Sequence, residues 1–219
     1  MKTVLLHDNY GINAAGHFTV AGIDTVSLAK EYGTPLYVLD EDKMRSMCEK
    51  YRQSAARYFK NAKILFASKA LSFKEIYRIA DSEGLCTDTV SSGEIYTALA
   101  AGFPPEKIYF HGNNKTCSDL EYAVKSGVGC IIADNLAELD DLEEICASEG
   151  KTAKVVLRVT PGIDPHTHVK ISTGKVDSKF GSAIETGQAL EAVKYALGKQ
   201  HVRLIGIHCH VGSQSFDPM

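Results

Sequence analysis

Lys69 closes the stretch Lys63-Ile-Leu-Phe-Ala-Ser-Lys69, where a short apolar run ends on a primary amine. Burying a lysine charge is costly, so a lysine at the end of a buried strand calls for a partner or a task. A desolvated lysine titrates low, and its neutral amine is a nucleophile that can form a Schiff base with a carbonyl compound. The plainer reading is a side chain that snorkels to water. Polar residues recur where later apolar runs end: Asp88, His111 with Asn113 and Asn114, Asp134, Arg158, then His208, His210 and Ser213. Singly, each has a structural explanation. Asp88 and Asp134 fit helix caps, Arg158 a surface ion pair, and His210 a satisfied core histidine. Together they describe a cavity holding an amine nucleophile, imidazole and mixed charge.

Metal chemistry is a weaker reading of the same residues. His208-x-His210 and His166-x-His168 could each ligate a metal, but no third carboxylate or cysteine follows at a fitting spacing. The expected metal set is therefore empty. On a strand, His208 and His210 share one face, so at least one of them should face the interior.

The elements that must carry these residues follow a repeating pattern. Strands are expected at Ile64–Phe66, from Leu85, at 108–110, at 130–132, at Val155–Val159 and at Leu204–Ile207. Helices lie between them. Ser72-x-x-Glu75, Ser91-x-x-Glu94 and Ser118-x-x-Glu121 read as capping boxes, and Gly84, Gly102, Gly127 and Gly150 as stops. A helix from Asn135 to Ser148 and another from Thr186 to Leu197 complete the set, with a long Gly- and His-rich loop over 160–182 between them. The first three strands begin near residues 63, 85 and 107, at equal intervals, as parallel strands with helical crossovers require. A doubly wound sheet and a (β/α)8 barrel both fit. The absence of Gly-x-Gly-x-x-Gly and of a P-loop favours the barrel.

Before this repeat, Asp24 caps a short helix that Gly33 stops. Residues 34–40 are extended, and Asp40 starts a longer helix with Met44, Met47, Cys48, Tyr51, Ala55 and Tyr58 on a packed face. Val4-Leu-Leu and Phe18-Thr-Val read as pieces of a separate domain. Six strand–helix units fall short of the eight in a closed barrel, so the chain is expected to be the front part of a longer protein.

Composition narrows the classes. The 219 residues suffice for one or two domains with a core, and a hydrophobic share of 44% is that of an ordinary globular protein. A net charge of −3 gives no reason to expect nucleic acid or an acidic membrane as partner. No apolar run approaches the ~20 residues of a membrane span, and the N-terminus does not read as a signal peptide. Six scattered cysteines with no Cys-x-x-Cys pair suggest reduced thiols and a cytoplasmic protein.

Several runs resemble one family. They are Tyr-Gly-Thr-Pro-Leu-Tyr-Val-Leu-Asp over 32–40, Phe-Ala-Ser-Lys69-Ala, Asp88-Thr-Val-Ser-Ser-Gly-Glu94 and His111-Gly-Asn-Asn-Lys115. Arg158-Val-Thr-Pro-Gly, Asp164-Pro-His-Thr-His168, Ser172-Thr-Gly, Ser178-Lys-Phe-Gly181 and Gly206-Ile-His-Cys-His210-Val-Gly-Ser-Gln214 complete them. In order and spacing they resemble the N-terminal part of the diaminopimelate decarboxylases, within the pyridoxal-phosphate-dependent group that has an alanine-racemase-like barrel. The resemblance implies a truncated pyridoxal-phosphate-binding TIM barrel over 40–219. It also implies that residues 1–39 pack with a C-terminal β-domain absent from this chain. It implies that Lys69 holds pyridoxal 5'-phosphate as an imine, that His210 stacks on the cofactor ring, and that Ser213 contacts the phosphate. Asp88, His111 and Arg158 would line the pocket. The implied reaction is decarboxylation of meso-2,6-diaminopimelate to L-lysine, in a homodimeric full-length enzyme, with the 219 residues inactive alone. Two alternatives stand beside it: a decarboxylase of the same group acting on carboxynorspermidine, ornithine or arginine, and a pyridoxal-phosphate-binding protein without turnover.

Overall fold

The computed structural model describes residues 7–163 and 180–210. The chain divides into two compact units, Met1–Ala62 and Lys63–Met219. The first unit takes in the helix after Asp40, which the expected boundary at residue 39 assigns to the repeating part. Two polar links bind that helix to the N-terminal segment. Asn9 donates to the Asp40 carboxylate at 2.8 Å, and Lys43 pairs with Asp8 at 2.6 Å.

In the first unit, β1 (Tyr10–Ile12), β2 (Phe18–Val20) and β3 (Ile23–Asp24) form a small antiparallel sheet. Asp24 then caps α1 (Thr25–Tyr32), accepting from the Val26 and Ser27 amides, and Gly33 ends the helix. Asp40 caps α2 (Glu41–Ala56) through the Lys43 amide. The stripe expected to pack along α2 is mostly exposed: Cys48 alone in the helix is buried, while Tyr51 and, just beyond it, Tyr58 are open to solvent. Val4-Leu5-Leu6 lies outside the described residues.

The second unit is the repeat. Its strands are β4 (Leu65–Ala67), β5 (Cys86–Thr89), β6 (Ile108–Phe110), β7 (Cys130–Ala133), β8 (Ala153–Thr160), β9 (Ser182–Ala183) and β10 (Val202–His208). Between them run α3 (Lys74–Ser82), α4 (Ser92–Ala100), α5 (Cys117–Ser126), α6 (Leu136–Glu149) and α7 (Gln188–Leu197). Every pairing in this sheet is parallel, and the order across it is β4-β5-β6-β7-β8-β10, with the two-residue β9 on β8. Apart from β10, which lies beside β8 rather than the short β9, each strand lies beside the one before it in the chain. A doubly wound sheet reverses its order at a switch point, and none occurs here, so the path is that of a barrel wall. The sequence pattern omits β9, which is too short for an alternation to register.

The helices bury one face against this wall. Ile76, Ile79, Ile95, Leu120, Leu139 and Leu142 are almost fully buried, each contributing about 1.5–3 kcal/mol. Val155 and Leu157 of β8 are buried as well, and so are all four residues of β7. At the end of the strand order, β10 leaves Ile205 and Ile207 exposed.

Two expected caps are displaced. Helix α3 starts after Phe73, with no side-chain cap, because the Ser72 hydroxyl pairs instead with the Tyr77 hydroxyl at 2.9 Å. Helix α5 is capped by Thr116 with Asp119 returning to the Thr116 amide, a full capping box two residues before the expected Ser118. Ser91 caps α4 as expected, and Asn135 caps α6.

Candidate functional site

The carboxyl ends of the parallel strands gather the polar residues singled out above. Ladder register brings them side by side. Ala67, two residues before Lys69, is opposite Asp88, Asp88 is opposite Tyr109, and Arg158 is opposite His208. The His111 amide donates to the Thr89 carbonyl at 2.7 Å, which fixes the first residue beyond β6 against β5. Lys69 sits in a one-turn 3-10 helix, Ser68–Ala70, directly after β4.

Ser68 anchors that turn. It is fully buried, and its hydroxyl lies 2.8 Å from the Asp88 carbonyl and 2.7 Å from Glu94 Oε2. The same Glu94 oxygen accepts from the Val90 amide at 2.7 Å. Glu94 is the acid of the Ser91-x-x-Glu94 pattern. Ser91 does receive the Glu94 amide, but the carboxylate reaches across to the lysine turn rather than back to its own cap. Lys69 itself is exposed, not buried as the strand-end argument expects. β4 ends the strand order, so the turn beyond it has a neighbouring strand on one side only.

Asp88 is neither a cap nor a solvated carboxylate. It lies inside β5, and its Oδ1 is buried with no hydrogen-bond partner among the described residues. Burial pushes its pKa up to about 6; Lys69 pulls it down and Glu94 adds to the rise. His111 and His208 meet edge to face with ring centroids 4.7 Å apart. His111 Nε2 and His208 Nδ1 are likewise buried without a hydrogen-bond partner. Burial, then the charge on His208, Arg158, Lys115 and Lys69, holds His111 down to about 3. Burial, then Arg158 and His210, holds His208 down to about 4. Burial and the charges of Lys69 and Arg158 also lower His210. All three imidazoles are therefore neutral at neutral pH, and the charge of Lys69 is felt at Asp88, His111 and His210 alike.

Arg158 makes a buried ion pair, not a surface one. Its Nη1 is 3.2 Å from Asp134 Oδ1, both side chains are 6% exposed, and the guanidinium covers the Phe180 ring at 4.2 Å. Asp134 Oδ2 accepts from the Gly181 amide at 3.3 Å. Gly181 has φ +66°, and a Cβ there would meet the Arg158 carbonyl oxygen at 2.7 Å, so only glycine lets this backbone close on Arg158. Asp134 is thus the counter-ion of Arg158; Asn135 is the cap of α6.

Reading the sequence singles out Lys69, Asp88, His111, Arg158 and His210, and their elements converge at one end of the wall. Ser213, His166 and His168 lie outside the described residues. Among the described residues there is no group of three or more His, Cys, Asp or Glu side chains able to hold a metal. No helix among them is long and apolar enough to cross a membrane. Ser68, Glu94, Lys115 and Glu138 escape a reading of the sequence as site residues because their partners lie on other elements. The one local signal was Glu94, and it pointed to the wrong partner.

Comparison with known proteins gives a consistent result. Residues 43–219 match the model of the pyridoxal-dependent decarboxylases, pyridoxal-binding domain. The chain is 46% identical over 211 residues to the diaminopimelate decarboxylase of Bacillus methanolicus, covering 96% of this chain and 49% of that protein. It is 44% identical over 214 residues to the Bacillus subtilis enzyme of the same name, covering 98% of this chain and 49% of that protein. The crystal structure of the M. jannaschii diaminopimelate decarboxylase superposes with a TM-score of 0.84 at 35% identity, over 96% of this chain and 49% of that one. The chain spans about half the length of the curated relatives it matches. With a parallel barrel wall whose strand ends present Lys69, Asp88, His111 and Arg158, and a family match over most of its length, this chain belongs to the pyridoxal-dependent decarboxylases and carries their pyridoxal-binding domain.

Proposed function

We propose that the strand-end cavity binds pyridoxal 5'-phosphate through Lys69 and that the whole protein decarboxylates meso-2,6-diaminopimelate to L-lysine. The carrying observation is chemical. Three buried polar atoms at the strand ends, Asp88 Oδ1, His111 Nε2 and His208 Nδ1, have no hydrogen-bond partner among the described residues. Buried polar groups left so are costly, and a polar ligand in the cavity relieves the cost. The residues therefore fit the cofactor that the family uses. When bound, pyridoxal phosphate takes up the electron density left at Cα as carbon dioxide departs.

Each residue has a task suited to its surroundings. Lys69 presents an accessible amine on a turn pinned by Ser68 and Glu94, so it can condense with an aldehyde at a fixed place. His210, kept neutral mainly by burial, would stack on the cofactor ring without placing a charge against it. Arg158, held by Asp134 and Phe180, adds its charge to the burial that keeps His111 and His208 unprotonated. Asp88 and His111 line the wall on the Lys69 side, and Ser213 is assigned to the phosphate. When not holding the cofactor, the Lys69 amine would be placed to move protons at the substrate carbon.

Substrate identity rests on relatives. The diaminopimelate decarboxylases among them are 43–46% identical to this chain, and the M. jannaschii and Helicobacter pylori enzymes are solved in complex with L-lysine. The lysine decarboxylase of Selenomonas ruminantium is more distant, at 26%. The proposal extends to a cytoplasmic homodimer in which residues 1–39 pack with a β-domain. The test is a titration with pyridoxal phosphate. The chain should develop a cofactor absorbance band that Lys69→Ala abolishes; a folded sample with no band, or a band unchanged in Lys69→Ala, overturns the assignment.

A further inference from the structure

Lys115 and Glu138 form a dry ion pair close to the ends of β6 and β7. Their side chains are 1% and 6% exposed, and Lys115 Nζ is 2.7 Å from Glu138 Oε1. The ammonium meets two further oxygens, the Gly112 carbonyl at 2.5 Å and the Ile132 carbonyl at 2.9 Å. Lys115 Nζ donates to both carbonyls and stands in ion-pair contact with Glu138 Oε1, which accepts no hydrogen bond among the described residues. On the other side, Glu138 Oε2 accepts from the Asp134 amide at 3.2 Å. These backbone atoms sit at particular places. Gly112 follows His111. Ile132 is the third residue of β7, and Asp134 comes directly after that strand and holds Arg158. Gly112 has φ +116°, and a Cβ there would crowd the Val90 carbonyl oxygen at 3.3 Å, so the chain is held tightly as it leaves β6.

A buried ion pair seldom adds net stability over an apolar pair of similar volume, because desolvation offsets the attraction. An apolar pair cannot fix the Gly112 and Ile132 carbonyls and the Asp134 amide relative to one another. We infer that Lys115 and Glu138 are positioning residues of the cofactor pocket, a brace that sets His111 and the Asp134–Arg158 pair in mutual register. The inference rests on the cavity being the pyridoxal phosphate site, and it assigns the pair no contact with the cofactor.

The test separates positioning from plain stability. Lys115→Met/Glu138→Leu removes both charges together, so neither is stranded, but the Gly112 and Ile132 carbonyls and the Asp134 amide lose these partners; the cofactor-free double variant should melt below the parent yet above either single variant. Its affinity for pyridoxal phosphate should nonetheless fall about tenfold or more, with an altered circular dichroism signal in the cofactor band. Glu138→Asp keeps the ion pair but shortens the reach to the Asp134 amide, and should show the same change more mildly. Parental affinity and parental cofactor dichroism in either folded variant would overturn the inference. A parent chain that develops no Lys69-dependent band would instead overturn the cofactor assignment itself, and this inference with it.

Discussion

Asp88→Asn should stabilise the cofactor-free chain at neutral pH, although it removes a residue of the candidate site. The Asp88 carboxyl is buried, its Oδ1 has no hydrogen-bond partner among the described residues, and Glu94 adds a like charge nearby. Its pKa rises from 3.8 to about 6 in the folded chain. The native state therefore binds this proton more tightly than the unfolded chain does. That favours folding fully below the unfolded pKa, and the advantage is lost as pH rises through the folded one. Roughly two pKa units correspond to about 3 kcal/mol at ~1.4 kcal/mol per unit. An asparagine carries no charge to desolvate, so the variant should gain up to about 3 kcal/mol near pH ~7.5. Near pH ~4.5 the gain should shrink to about 1 kcal/mol, because the native carboxyl is then mostly protonated. Urea denaturation of parent and variant at both pH values measures the difference. An equal gain at the two pH values, or destabilisation of the variant at neutral pH, would refute the reasoning.

The remaining predictions use the same kind of assay. Arg158→Met strands the buried Asp134 charge and should cost about 3–5 kcal/mol, and Arg158→Met/Asp134→Leu should recover much of it; denaturant melts decide. Thr116→Ala should cost ~1 kcal/mol while Ser118→Ala costs far less, since Thr116 is the cap of α5; equal losses would restore the cap expected from the sequence. His111 and His208 have folded pKa values of about 3 and about 4, below the ordinary 6.5. The unfolded chain takes up these protons first, so stability should fall as pH drops below that ordinary value, and His208→Asn should flatten the fall.

The repeat was legible because parallel strands buried on both faces write themselves as apolar runs at even spacing. Runs such as Cys130–Ala133 and Val155–Val159 could hardly be anything else in that setting. Strand order was legible too, since equal strand–helix units without a nucleotide-binding loop leave a barrel wall as the simplest path. Caps were read less well. Ser72 and Ser118 satisfy a local pattern, but Tyr77 claims the first hydroxyl and the Thr116–Asp119 box pre-empts the second. The α2 stripe was over-read for another reason: helical spacing of Met47, Tyr51 and Tyr58 reports a face, not what covers it. In the site, strand-end position picked out Lys69, Asp88, His111 and Arg158. It could not show that Arg158 pairs with Asp134, that Glu94 braces the lysine turn, or that Lys115 reaches Glu138. Those pairs join different elements and leave no period in the sequence.

The central claim is that Lys69 is the amine that holds pyridoxal phosphate. Borohydride reduction of the cofactor-treated chain, followed by peptide mass spectrometry, tests it most directly. The account predicts one stoichiometric label, on the peptide containing Lys69, and its loss in Lys69→Ala. A label on Lys63 or Lys115, or one spread over the exposed lysines with Lys69 unmodified, would contradict it.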